Sequence, residues 1–171
     1  MANPLTFTMQ QQKQTNWCWA AVATSVADFL GNLNQWTQCK LSNQQLTQTT
    51  CCSDGANPNT CNKVSFLENS LLLVQHTSPA TPLHAAASEA DIKREIDAGR
   101  PIGVRIGWNN SGDQGHFVLV TGYVDSPTGF LIVVNDPEKP DGTPGSTYSY
   151  TEITQTGYLQ KGTWSDTYFT G

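Results

Sequence analysis

The sequence predicts an α+β fold, and three observations carry that reading. Helical periodicity with capping signals fills the first hundred residues. β-branched, apolar runs of strand length fill the remainder. The period changes once, at Gly99-Arg100-Pro101, which sets helices first and antiparallel strands after. The expected layout is one domain over residues 1–171, with a helical lobe of about 10–98 and a β lobe of about 101–170. A chain of 171 residues can bury a core of its own, and neither an internal repeat nor a long linker divides it.

The first helix is expected over roughly Trp17 to Leu30. Thr15 or Asn16 can cap it, Ala20, Ala21, Ala23 and Ala27 favour it, and Val22, Val26, Phe29 and Leu30 recur at helical steps. Gly31 stands where a C-terminal cap belongs. A second helix is expected from Ser42, where Ser42 and Gln45 form a capping-box pattern. Ser53 to Thr60 reads as a loop. A third helix covers Val64 to Leu73, and Ser78 to Pro82 ends it. Ser88 caps a fourth, Glu89 to Ala98, with Ile92 and Ile96 inward and Gly99 as its stop. Ile102 to Ile106 is the first strand. Phe117 to Val124 and Phe130 to Val134 form a hairpin across a rather long turn, Asp125 to Gly129. Asp136 to Gly145, dense in Pro, Gly and Asp, is a loop, and Thr147 to Ile153 and Thr163 to Phe169 are the last strands.

Net charge is −5 and no basic run occurs, which argues against a nucleic-acid partner. No stretch reaches the roughly 18 apolar residues of a membrane span. Residues 1–12 lack the basic and apolar regions of a secretory signal. The five cysteines are unevenly placed: Cys39, Cys51, Cys52 and Cys61 share one stretch, and Cys18 stands apart. Two local disulfides plus one free thiol is the simplest arithmetic, with three pairings open. Structural thiols are the alternative, and a zinc site fits poorly because the adjacent Cys51-Cys52 lacks the usual knuckle spacing. Disulfides hint at export, here by a route that reads no classical signal. A cytoplasmic location and membership in a longer chain stay open.

Cys18 falls in the first turn of the first helix. There the unsatisfied N–H groups and the helix dipole favour a thiolate, the form that attacks. The bland reading is a small buried residue on an alanine-rich helix, and its surroundings argue otherwise. Gln12 precedes it by six positions, and Trp19-Ala20 follows. Gln-x5-Cys-Trp-Ala resembles the active-site segment of the papain-like cysteine proteases. The resemblance implies that the Gln12 amide and the Cys18 N–H line an oxyanion hole. Gln10, Gln11 and Gln14 are nearby alternatives for the side chain. The segment departs from the family at Lys13 to Trp17, where no cysteine precedes the nucleophile.

The resemblance further implies a base on the opposite lobe. His76 and His84 flank a Pro-containing loop without a motif and read as ordinary surface residues. His116, in Gly115-His116-Phe117-Val118-Leu119-Val120, resembles the His segment of papain-like and bacteriocin-processing peptidases. The third member, which orients the imidazole, is Asp136 in Val133-Val134-Asn135-Asp136-Pro137, with Asn135 as the alternative. The two lie on opposite strand faces, so only one can serve. Ile92 to Ile106 resembles the helix-to-strand entry of the same peptidases. The polar stretch Trp108 to Gly115 leads into His116 and is expected to border the cleft, while Trp17, Trp19 and Trp164 read as core or cleft wall. Together with the Cys51-Cys52 pair, these segments are similar to small bacterial papain-like domains related to plant-pathogen effector proteases.

The resemblance thus implies a cysteine protease with a Cys18-His116-Asp136 triad and Gln12 at the oxyanion, acting on protein or peptide substrates as a monomer. No metal or organic cofactor is needed. A toxin or effector role, with an inhibitor or immunity protein as partner, is implied by likeness alone. The same triad also suits a deamidase, transglutaminase or isopeptidase, and an inactive peptide-binding module is the non-enzymatic alternative.

Overall fold

A computed structural model describes residues 4–79, 81–109 and 114–171. Among the described residues four α-helices precede a five-stranded antiparallel sheet: α1 (Cys18–Phe29), α2 (Gln38–Gln45), α3 (Leu67–Leu73), α4 (Glu89–Asp97), β1 (Ile102–Trp108), β2 (Gly115–Ser126), β3 (Gly129–Asn135), β4 (Ser146–Ser149) and β5 (Gly162–Phe169). The strand order is β4-β3-β2-β1-β5, so the strand that opens with His116 is central.

β2 shows how the strand period divides the core. Phe117 and Leu119 join a cluster with α1, α2 and α3, while Val118 and Val120 join a second with α4, β1 and β3. The sheet is therefore covered on both faces. Helix α1 is buried on every side from Trp19 to Ala27, more than one apolar face would require. Its alanines allow close approach, and its two buried hydroxyls bond back to the helix, Thr24 Oγ1 to the Ala20 carbonyl at 2.8 Å and Ser25 Oγ to the Ala21 carbonyl at 2.7 Å.

Several boundaries differ from expectation for local reasons. Helix α2 starts at Gln38, not Ser42, because Thr37 caps it by accepting from the Lys40 N–H; Ser42 lies buried inside the helix. Helix α3 starts at Leu67, because the chain before it is held extended: the Trp17 and Trp19 indoles donate to the carbonyls of Cys61 and Lys63 at 2.7 and 3.0 Å. The β2–β3 hairpin is tighter than expected, with Ser126 paired to Gly129. The run from Thr147 is a strand only to Ser149. A π-helical segment, Glu152–Gly157, replaces its end, sinking Ile153 into the core while Thr154 and Thr156 bond back to the carbonyls of Tyr150 and Glu152.

The four clustered cysteines form two disulfides, Cys39–Cys52 and Cys51–Cys61, and Cys18 is the free thiol. That pairing leaves no thiol in the cluster for zinc. Among the described residues no helix is long and apolar enough to cross a membrane.

Candidate active site

Cys18 is the first residue of α1 and is half-buried. The N-cap position is Trp17, which supplies no side-chain oxygen to the first-turn N–H groups. Those groups have no acceptor within a helix, so the helix end presents donors beside the thiol. His116 faces it from β2. Its register against Ile106 puts the ring at the end of the β1–β2 pair. Gly115 is needed here, since a Cβ at that position would lie 2.5 Å from the Ile106 carbonyl oxygen.

His116 Nε2 bonds Asp136 Oδ1 at 2.7 Å, and Cys18 is a second hydrogen-bonding and charge partner of the same imidazole. The ring is buried, which disfavours its charge. The hydrogen bonds and charges of Asp136 and Cys18 outweigh that and raise its pKa from 6.5 to about 10. The ring is thus protonated at neutral pH and stands ready as an acid, becoming a base only after it has given its proton up. Burial likewise opposes the Asp136 charge, but His116, the Tyr158 hydroxyl and the Glu138 N–H hold the carboxyl below its ordinary value. Trp108 stacks on His116 with centroids 5.9 Å apart and planes 8° from parallel.

Asn135, the alternative third member, points elsewhere. Its Oδ1 accepts from Thr121 Oγ1 at 2.6 Å and its Nδ2 donates to the Thr143 carbonyl. Gln12 sits in the loop before α1. Its Nε2 donates to the carbonyls of Gln14 and Thr15 at 3.1 and 2.9 Å, its backbone N–H donates to the Pro137 carbonyl at 2.8 Å, and its Oε1 is buried without a partner among the described residues. The other glutamines have separate tasks. Gln10 bonds Asp28 and Ser25, and the Gln11 N–H bonds Asp141. Away from the site, His84 pairs with Asp166 at 2.8 Å and His76 with Asn32 at 3.0 Å. Residues 110–113 of the expected cleft border lie outside the described residues.

His116, Asp136 and Glu138 bring potential metal donors within 4.8 Å of one another, but the first two spend theirs on each other. The sequence singles out neither of two residues beside His116 and Asp136: Trp108 reads only as the start of the stretch bordering the cleft, and Tyr158 carries no reading. Neither has a motif: Trp108 is placed by pairing with Gly162, and Tyr158 reaches Asp136 from 22 residues along the chain.

A thiol at a helix start and a carboxylate-bound imidazole on a facing sheet are the parts a thiol acyl-transfer enzyme needs. Residues 4–167 match the Peptidase_C39 like family, and the chain belongs to that family. No curated protein matches the sequence. In fold the chain is similar to a structure from work on the limited antibody cross-reactivity between the mite allergens Blo t 1 and Der p 1, with TM-score 0.52 and 15% identity over 98% of this chain and 67% of that one. The architecture is the papain-like α+β fold.

Proposed function

We propose that the protein hydrolyses peptide bonds through an acyl-enzyme. The hydrogen bonding of both Cys18 and Asp136 to one buried imidazole is the observation that supports this best. Cys18 Sγ attacks the scissile carbonyl carbon, and the C–N bond breaks as His116 gives its Nδ1 proton to the leaving amine. Water, deprotonated by the now neutral His116, then attacks the thioester and releases the acid and the Cys18 thiolate, leaving His116 protonated as at the start. Asp136 keeps the imidazole oriented through Nε2. The Cys18 N–H and Gln12 serve the oxyanion. Both Gln12 amide hydrogens rest on loop carbonyls, so one must be exchanged when the oxyanion forms. Two formed disulfides support an exported protein. An effector or toxin acting on other cells' proteins is the finer form of the reading.

Wild type and Cys18→Ala are incubated with a broad peptide and protein library, and products are read by mass spectrometry. Backbone cleavage by wild type alone is the expected result. Mass changes confined to side-chain amides would replace hydrolysis by deamidation or transamidation. Inert proteins whose Cys18 reacts as an ordinary thiol would leave a peptide-binding module.

A further inference from the structure

Asp136 keeps a negative charge in a buried place. Its Oδ1 serves two donors, His116 Nε2 at 2.7 Å and the Glu138 N–H at 2.9 Å. Oδ2 meets the hydroxyl of Tyr158, at 2.7 Å. Among the described residues Tyr158 is the only donor to that oxygen. It follows the π-helical segment, 22 residues beyond Asp136 in the chain. Its N–H bonds the Gly162 carbonyl at 2.6 Å, and its ring lies edge-on to Tyr148 of β4 with centroids 5.1 Å apart. The residue is 1% exposed. A phenol hydroxyl lies on the axis of ring flipping, so this donor stays in place whatever the ring does.

We propose that Tyr158 is a positioning residue, holding Oδ2 of Asp136 so that Oδ1 stays turned to His116. The inference rests on the peptidase reading above, because Tyr158 acts through the triad. The phenol is pushed above its ordinary range by burial and by the Asp136 charge, so it remains a donor throughout. Without it, Oδ2 is a charged buried acceptor with no partner. The carboxyl then takes up a proton more easily or rotates, and either loosens its hold on the imidazole. The groups facing Asp136 are His116 from β2, Tyr158, and the Glu138 N–H with its exposed carboxylate. Cys18 lies beyond His116, and Tyr148 behind Tyr158.

The test needs no substrate. Alkylation of Cys18 by iodoacetamide is followed against pH in wild type, Tyr158→Phe, Asp136→Asn and the double variant, with thermal melting to compare folds. Tyr158→Phe is expected to slow alkylation on the acid side roughly tenfold, as befits a lost hydrogen bond to a charge, and to have no further effect in the Asp136→Asn background. A difluorotyrosine placed at 158 strengthens the donor and is expected to move the curve the other way, which covers the case of a poorly folded Phe variant. The inference is overturned if Asp136→Asn moves the curve while Tyr158→Phe and the fluorinated residue do not, or if the two losses simply add. If Asp136→Asn and His116→Ala also leave Cys18 reacting as an unassisted thiol, the triad reading falls, and this inference with it.

Discussion

Replacing Asp136 by Asn removes one charge and keeps the side chain's shape. The carboxamide oxygen must occupy the Oδ1 place, because that atom faces two N–H donors, from His116 and Glu138. The amide nitrogen then takes the Oδ2 place, where the Tyr158 hydroxyl can turn to accept. The variant should therefore fold, and its loss is electrostatic support for the imidazolium. Every tenfold in proton affinity corresponds to about 1.4 kcal/mol. The rise of His116 from 6.5 to about 10 corresponds to roughly 5 kcal/mol net of the burial that opposes it, so Asp136 and Cys18 together contribute more than that. A hydrogen bond to a charged partner contributes about 1.5–3 kcal/mol. The Asn variant should thus bring His116 down by about one to two pH units, with turnover at neutral pH falling about tenfold to a hundredfold. A group whose folded pKa is raised stabilises fully below its unfolded value and loses that contribution as pH rises through the folded one. Wild type should accordingly lose stability between pH 6.5 and about 10. Asp136→Asn should lose less, and finish at lower pH. NMR titration of the His116 ring and denaturant unfolding across that range read both effects. An Asn variant whose His116 titrates at the wild-type midpoint would refute the coupling.

The remaining predictions concern the frame around Cys18, His116 and Asp136. Removing Cys51–Cys61, a closed loop with sequence separation 10, should cost about 2–3 kcal/mol in denaturant unfolding by loop entropy alone; an unchanged midpoint would count against it. Gly55→Ala would put a methyl 2.8 Å from the Cys51 carbonyl oxygen and 3.0 Å from the ring of Trp17, the neighbour of Cys18 in the chain. A backbone atom cannot yield cheaply, so a loss of about 1–3 kcal/mol is expected by thermal melting, and an unaltered Tm would show the loop to be free to move. Trp108→Ala removes the aromatic face stacked on His116. A cation over such a face gains about 0.5–2 kcal/mol, so the ring's NMR midpoint should fall, by less than in Asp136→Asn.

How far apart the interacting parts lie along the chain decides how much of the structure was legible in the sequence. Helix α1 was legible because its alanines, its apolar steps and Gly31 all act within one segment, and the β2–β3 hairpin because alternation is local too. The start of α2 was not, because Ser42 and Gln45 imitate a cap and the true one, Thr37, is set where Cys39 is tied to Cys52. The choice between Asn135 and Asp136 had a local half and a long-range half. Strand geometry alone says that the two face opposite ways. Only the pairing of Leu119 with Asn135, beside an irregularity between Val120 and Gly122, decides which of them turns to the ring. That ring's surroundings close through contacts across the whole sheet: Trp108 from the end of β1, and Tyr158 from just beyond the π-helical segment, whose first residues read as strand. A motif records the atoms that react. The groups that hold those atoms can come from any segment the fold brings near, and they therefore leave no spacing to find.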